Sequence, residues 1–521
     1  MGKYIDNLKF KNIHIIGASG TEGSAVLEFL ARNGIKNITA HDFSGDQEEL
    51  RKNFFKTHLW LKGKEKVEAF AEFLKLPLNL KLKDKYLEGI LDADIIFAPS
   101  SWRLYKPNFP EILKAKEKGI EFSSLTKLYF ELAKGKIISI TGTKGKGTTS
   151  RLIYEILSGM EKKRRVFLAG NDRRSAQELD KISKMKKDDI LALETSNRQL
   201  TIALGRSPDI GVITNISPDH IDEHGSFEKY IEVKKSLFRY AEKDNMAVLN
   251  YDNEITKNFG EELAKRGVNV FFFSRKSKIE RGAYVENKKI YALGNSVFKL
   301  DKLEICDLGD IKLIGEHNIE NVLAAVLSGY LAGAKPEQIK NAIRNFRGLP
   351  HRLEFIGEYG GVKFYDDMAS TNPESTIAAI KSLKTYNLPI DYTQGKQSTT
   401  YNLILVAGGD DKGMDYAGLV KEIIEKVDLL ILLPGTGSEK LKCQMSNVKC
   451  QVKLKVQMSN TKQFDLIIKE CNDFSEALEL IKKKTKAGDI ILISPACAHF
   501  QTWYIDVFKK PIRNLIVEKF R

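Results

Sequence analysis

Cysteine is scarce in this 521-residue chain, with five residues: Cys306, Cys443, Cys450, Cys471 and Cys497. None forms a Cys-x-x-Cys pair and no histidine cluster completes a zinc spacing. The pattern speaks against a disulfide scaffold and a structural zinc site, and for reduced, mostly buried thiols. Long apolar runs are missing too. No stretch approaches the roughly 18 residues that a membrane helix needs, so no membrane span is expected. The opening Met1-Gly-Lys-Tyr-Ile-Asp6 has no apolar signal core, and Asp6 stands where a myristoylation signal needs Ser or Thr. A cytoplasmic location is expected. Acids are outnumbered, 68 Asp and Glu against 83 Lys and Arg, for a net charge of +15. The lysines alternate with acids, as in Lys181–Asp189 and Lys421–Lys426. That spread predicts a solvated surface biased toward anionic substrates, not a nucleic-acid partner.

What is present is a series of short apolar runs, each followed by a glycine or polar turn and a helical pattern. The length requires more than one core, and the alternation predicts three consecutive α/β domains with parallel sheets, at 1–134, 135–347 and 348–521. In the first, Ile13-His-Ile-Ile16 leads into Gly17-Ala-Ser-Gly-Thr-Glu-Gly23, the helix Ala25–Leu30 and the strand 37–42. This is a Rossmann-like start in which Gly17, Ser19, Thr21 and the strand-end Asp42 are candidate substrate contacts. The second opens with the strand Ile137-Ile-Ser-Ile140 and further strands at 189–193, 210–214 and 246–249. The third contains Leu403–Ala407, Leu429–Leu433 and Asp489–Ile493. Two polar stretches read as surface insertions, hairpin-like or disordered. One is 391–400. The other is an internal repeat in which Lys442-Cys-Gln-Met-Ser-Asn-Val-Lys449 recurs as Lys455-Val-Gln-Met-Ser-Asn-Thr-Lys462.

The chemistry is concentrated at strand ends. Gly142-Thr-Lys-Gly-Lys-Gly-Thr-Thr149 lies between a strand and a helix, the context a phosphate-binding loop demands. Gly142, Gly145 and Gly147 let backbone N–H groups turn toward phosphate oxygens, with Thr143 and Lys144 between them. The helix N-terminus adds partial positive charge. Lys146 is placed to reach the β- and γ-phosphates, and Thr148 or Thr149 offers a hydroxyl to Mg²⁺. Glu194 ends the next strand, in Glu194-Thr-Ser-Asn-Arg-Gln199, and suits a magnesium ligand. His220, in Thr214-Asn-Ile-Ser-Pro-Asp-His220, is a candidate for a second metal or a phosphate. Tyr230 and Lys234 share a helix face; a lysine there could complete a metal site only if its charge were removed. Further along, Arg352 in Pro350-His-Arg-Leu-Glu354 suits an oxyanion and Asp367 a ribose hydroxyl. Gly408-Gly-Asp-Asp-Lys-Gly413 and Ser494-Pro-Ala-Cys-Ala-His-Phe500 follow the later strands, with Lys412 positioned as a carboxylate receptor. Each motif alone also fits an ordinary turn, cap or surface residue. Their shared place at strand C-termini argues for a site.

Taken in order, these motifs resemble the Mur ligase family over nearly the whole chain, and within it the branch that adds D-glutamate to UDP-N-acetylmuramoyl-L-alanine. Ser494-Pro-Ala-Cys-Ala498 is the tag most specific to that branch. The resemblance implies a UDP-sugar domain, an ATP domain and an amino-acid domain. It implies an ATP- and Mg²⁺-dependent amide ligase working through an acyl phosphate, and a monomer is expected. Carried over by residue, it implies Lys146 as the γ-phosphate lysine and Glu194 and His220 as metal ligands. Lys234 matches the lysine carbamylated in the family. Asn318 and Asn321 match ATP-side asparagines, and Arg352 and Asp367 match phosphate and ribose contacts. Asn171, Ser196 and Gln199 fall on the muramoyl side. Thr371, Lys412, Ser494, His499 and Phe500 fall on the glutamate side. The chain departs from the family at Gly147, where Ser or Thr is common, so a Mg²⁺ ligand is missing or moves to Thr148. It departs also at Ala369, where the family has lysine, and at His499, where serine is usual. A folylpolyglutamate synthase-like enzyme and a catalytically degraded nucleotide-binding relative are the alternatives.

Overall fold

The computed structural model describes residues 2–102, 109–160, 164–170, 177–293, 302–386, 401–411, 413–456, 466–497 and 512–520. Asn171, Lys412, His499 and Phe500, the stretch 391–400 and most of the second repeat copy lie outside the described residues. The described chain forms two compact units, 1–311 with 319–345, and 312–318 with 346–521.

The first unit holds two sheets. Strands β1 (Ile13–Ile16), β2 (Ile38–His41), β3 (Asn79–Lys81), β4 (Ile95–Phe97) and β5 (Glu121–Ser123) form a five-stranded sheet in the order β3-β2-β1-β4-β5. All its pairings are parallel. The chain works outward from β1 on one side, then crosses to β4 on the other. The loop starting at Gly17 therefore opens at a topological switch point, where α/β sheets bind ligands. Gly23 holds the following helix, Thr21–Arg32, close to that loop: a Cβ there would fall 2.1 Å from the Gly17 carbonyl oxygen.

The second sheet runs β6 (Lys136–Thr141), β7 (Val166–Ala169), β8 (Ile190–Glu194), β9 (Ile210–Ile213), β10 (Met246–Asn250), β11 (Asn269–Ser274), β12 (Gly282–Glu286), β13 (Lys289–Leu293) and β14 (Leu303–Asp307). Its order is β14-β13-β12-β11-β10-β9-β6-β8-β7. Strand β6 lies between β8 and β9, so the turns after these three strands meet at one place. Ile137, Ile138, Ile140 and Ile190 to Leu193 are buried. A parallel strand covered on both faces reads as an unbroken apolar run, which is why these strands stand out in the sequence. The antiparallel β12-β13-β14 extension alternates buried and exposed residues more weakly, and the sequence did not disclose it.

The second unit contains β15 (Glu354–Tyr359), β16 (Val362–Asp366), β17 (Leu403–Gly408), β18 (Leu429–Leu433), β19 (Ile467–Glu470) and β20 (Ile490–Ala496). Their order is β15-β16-β20-β17-β18-β19. Only β15 and β16 pair in antiparallel fashion. Two expectations are corrected here. The first repeat copy is not hairpin-like, because it lies within the helix Thr436–Val456, where Leu441 and Met445, one turn apart, are buried. Ser494 does not follow the last strand but belongs to it, since β20 continues to Ala496. Among the described residues, no helix is long and apolar enough to cross a membrane.

Candidate functional site

The phosphate-type loop follows β6 directly and runs into the helix Lys146–Ser158, whose N-cap is Gly145. Two glycines here are sterically required. Gly142 has φ +148 and Gly145 φ +85, conformations that L side chains rarely adopt. A Cβ would fall 1.9 Å from Thr214 Oγ1 at Gly142 and 2.0 Å from Asn321 Oδ1 at Gly145. The turn after β9 holds the loop from the side. Thr214 Oγ1 donates to the Lys144 carbonyl (2.6 Å), the Lys144 N–H donates to Asn215 Oδ1 (3.0 Å), and Asn215 Nδ2 donates back to the Lys144 carbonyl (3.1 Å). Thr143 Oγ1 accepts from the Ser217 N–H (3.0 Å) and lies 3.1 Å from the Tyr230 hydroxyl. Thr149 is buried beside Asn321, at the long hydrogen-bond distance of 3.5 Å. Thr148 and Gly147 are half-buried in the first turn of the helix.

Two ammonium groups converge on this loop. Lys146 Nζ donates to the carbonyls of Gly142 (3.0 Å) and Thr143 (2.9 Å). Lys234 Nζ donates to the same Gly142 carbonyl (2.8 Å) and to Thr141 Oγ1 (3.1 Å). Lys234 belongs to the helix Phe227–Lys235 and is fully buried, with its ammonium 5.4 Å from the centre of the Tyr230 ring. Burial, and then the neighbouring Lys146 charge, hold its pKa well below the ordinary lysine value, against a smaller opposing pull from Asp219 and Glu194. The amine is thus the favoured form more readily than for a solvated lysine.

Glu194 ends β8 half-buried, on the same edge of the sheet. His220 adopts a left-handed backbone (φ +49), and its Nδ1 lies 2.9 Å from Glu223 Oε1. Arg198 clamps the Glu223 carboxylate with Nε at 2.8 Å and Nη2 at 2.5 Å. That bond, first among the causes, lowers the Glu223 pKa. The Arg198–Glu223–His220 chain was missed from sequence, because only the spacing Ile221-Asp-Glu-His224 hinted at it. Ser196 and Gln199 are buried and cap each other, Ser196 N–H to Gln199 Oε1 at 2.8 Å.

At the N-terminal sheet, Asp42 is occupied on both oxygens. Ser19 donates to Oδ2 from N and Oγ (2.8 and 2.7 Å), and Ser44 donates to Oδ1 from N and Oγ (3.1 and 2.7 Å). Thr21 Oγ1 donates to the Thr57 carbonyl (3.1 Å). Gly17 takes φ +72, and its N–H donates to the His41 carbonyl (2.8 Å).

The second unit brings Asp367, Ser494 and Thr371 to one edge. Asp367 Oδ2 accepts from Ser494 Oγ (2.8 Å) and Oδ1 from the Leu353 N–H (3.0 Å). Ser494 Oγ also lies 2.7 Å from Thr376 Oγ1. Burial pushes the Asp367 carboxyl up to about 6. Thr371 is half-buried, one residue from Ser370, whose carbonyl accepts from the Ala496 N–H (3.0 Å). Arg352 is exposed in the preceding turn, between His351 and Leu353, both with left-handed backbones. Asn318 Nδ2 donates to the Ile314 carbonyl (2.7 Å). Asp366 was missed. It lies 2.7 Å from His351 Nδ1, and with Glu354 these two offer ligand atoms within 4.8 Å of one another. Among the described residues no such group of His, Cys, Asp and Glu forms around Glu194 and His220.

Comparison with known proteins gives these arrangements a family. Residues 140–329 match the Mur ligase middle domain, and residues 351–497 match the Mur ligase glutamate ligase domain. Proteins named UDP-N-acetylmuramoylalanine–D-glutamate ligase are similar over almost the full chain. That of Clostridium botulinum (strain 657) is 32% identical over 508 residues, 96% of this chain and 95% of that one. That of Clostridium tetani is 32% identical over 518 residues, covering 98% of each. Among solved structures, the UDP-N-acetylmuramate-alanine ligase of Thermotoga maritima shares the fold at 16% identity, with a TM-score of 0.52 over 98% of this chain and 99% of that one. The chain belongs to the Mur ligase family.

Proposed function

We propose that this chain is a cytoplasmic ligase that uses ATP to join D-glutamate to UDP-N-acetylmuramoyl-L-alanine, in the synthesis of peptidoglycan precursors. The carrying observation is the convergence of Lys146 and Lys234 on the Gly142 carbonyl at the switch point of the middle sheet. A cradle of backbone N–H groups with the Lys146 ammonium there suits the triphosphate of ATP. The near full-length likeness to D-glutamate ligases supports the substrate assignment.

The chemistry that follows has two steps. The carboxylate of the acceptor attacks the γ-phosphorus of ATP, forming an acyl phosphate and releasing ADP. The amine of glutamate, after losing a proton, then attacks the acyl carbon and expels phosphate. No side-chain nucleophile is needed, so the chain's task is positioning and neutralising charge. Lys146 meets the γ-phosphate. Glu194 and Thr148 are the hard oxygen donors in this region that Mg²⁺ would take; the imidazole of His220 is held on Glu223 instead. Lys234, whose lowered pKa favours the free amine, would on addition of CO2 and loss of a proton carry a carbamate, whose oxygens could help hold the ion. Bound magnesium would supply Lewis-acid neutralisation of the phosphate oxygens.

The test supplies UDP-N-acetylmuramoyl-L-alanine, ATP and Mg²⁺ with each amino acid in turn and measures phosphate release. Release with D-glutamate above all others is expected; none above background would end the assignment. Lys146→Ala should abolish turnover while leaving the circular-dichroism spectrum unchanged.

A further inference from the structure

The loop after β17 contains two adjacent acids, Asp410 and Asp411, immediately before Lys412. Two carboxylates are an obstacle if an amino acid with two carboxylates of its own binds beside them. The structure treats the two acids differently. Asp411 is 19% exposed, and its Oδ2 accepts from Lys440 Nζ at 2.8 Å. Its Oδ1 accepts from the Met414 N–H (3.0 Å) and the Tyr416 hydroxyl (3.2 Å). Lys440 Nζ also donates to the Met414 carbonyl (2.8 Å). Tyr416 is buried, and its hydroxyl reaches Cys497 Sγ (3.4 Å) at the end of β20. Further bonds fasten the loop to the helix that carries Lys440: the Asp411 N–H donates to Thr436 Oγ1 (3.0 Å), and the Gly437 N–H donates to the Gly409 carbonyl (2.9 Å). Asp410 Oδ1, by contrast, accepts the Thr436 N–H at 3.3 Å. The loop also borders the segments assigned to the amino acid: Gly408 pairs with Ala496, whose N–H reaches Ser370 beside Thr371.

We propose that Lys440 is a positioning residue for the incoming amino acid: by neutralising Asp411 and tying the loop after β17 to the helix Thr436–Val456, it keeps that loop receptive to a dianionic amino acid. The inference rests on the reading of the chain as a D-glutamate ligase. The Lys440 ammonium, first among the causes, holds the Asp411 carboxyl below the usual range. Asp411 therefore stays ionised at neutral pH, and its charge needs a partner. Without Lys440 the loop would present an uncompensated carboxylate to an amino acid that brings two of its own.

The experiment measures KM for D-glutamate, KM for ATP and kcat in wild type, Lys440→Met, Lys440→Arg, Asp411→Asn and the double variant Lys440→Met/Asp411→Asn, with unfolding temperatures for each. Lys440→Met should raise KM for D-glutamate about three- to tenfold, the effect of one uncompensated charge near a partly screened pocket. KM for ATP should stay within about twofold, since no phosphate contact is touched. Lys440→Arg should restore the D-glutamate KM, and Asp411→Asn should largely restore it in the Lys440→Met background. A folded Lys440→Met enzyme with unchanged KM for D-glutamate overturns the proposal. So does a double variant as impaired as Lys440→Met, which would make the role one of packing alone. If Lys440→Met does not fold, Asp411→Asn decides: an unchanged or lowered KM supports the charge argument and a raised one refutes it. Wild type inactive with D-glutamate would instead sink the ligase reading, a separate outcome.

Discussion

Asp367 offers a quantitative test of the second unit. Its carboxyl is 5% exposed, and burial raises its pKa from 3.8 to about 6. Ser494, Ser370 and the Leu353 N–H act in the opposite direction and only partly offset burial. A raised folded pKa means that the folded state binds the proton more tightly than the unfolded state. The stability from that proton is full below pH 3.8 and is lost as pH rises through the window up to about 6. Between about pH 4.5 and pH 7.5 the loss comes to about 2 kcal/mol. Asp367→Asn keeps the shape, retains an oxygen for the Leu353 N–H and presents an amide to Ser494, but it cannot titrate. Urea unfolding of both proteins at the two pH values should show the variant gaining about 2 kcal/mol on wild type as pH rises. A difference between the two proteins that does not change with pH would refute the claim that burial dominates at Asp367. Ligation should fall in the same variant if the carboxylate receives a ribose hydroxyl, so stability and activity should move in opposite directions.

Two further substitutions probe the phosphate-type loop. Gly145→Ala places a Cβ 2.0 Å from Asn321 Oδ1 at φ +85, so it should cost about 1–3 kcal/mol and weaken ATP binding at least tenfold by calorimetry; near-native affinity would contradict the loop assignment. Lys234→Met removes a buried cation whose folded pKa is depressed. Wild type should gain on the variant as pH rises toward the unfolded lysine value, because the unfolded chain then binds more protons. The variant should therefore be as stable as wild type or more so at neutral pH, by differential scanning calorimetry, while phosphate release collapses.

How much of this was legible depended on where the information lay in the chain. Strands such as Ile137–Ile140 and Leu429–Leu433 are unbroken apolar runs because both faces are covered, and they were readable within a residue or two. Asn79–Lys81 and Glu121–Ser123 are three-residue edge strands with exposed positions, too short to carry a period. The helix Thr436–Val456 was misread because Ser446, Asn447 and four β-branched residues (Thr436, Val448, Val452 and Val456) weaken its local propensity. Leu441 and Met445, packed in the core, override that preference. In the site, the loop glycines and Lys146 were legible because backbone geometry demands them locally. Arg198 with Glu223, Asp366 with His351, and Lys440 with Asp411 were not, since each pair is joined only by folding across 15 to 29 residues.

The three sheets also show why residue type alone does not separate substrate contacts from scaffolding. Asp42 and Ser494 were both read as substrate contacts because they sit at strand ends. In the fold, both oxygens of Asp42 bind Ser19 and Ser44, and the Ser494 hydroxyl is buried between Thr376 and Asp367. Their hydrogen bonds shape the turns that face a ligand, and an acid already holding four donors has little left to offer one. The middle sheet is arranged in the opposite sense. There the charged groups at the switch point are two ammonium groups on one carbonyl oxygen. Like charges so placed repel, and burial of Lys234 adds desolvation to that repulsion. Both effects push Lys234 toward the neutral amine, so the positive charge offered to a polyphosphate is chiefly that of Lys146 and the loop N–H groups. The affinity of the loop for a polyphosphate and the protonation of an unmodified Lys234 are therefore linked, each shifting the other.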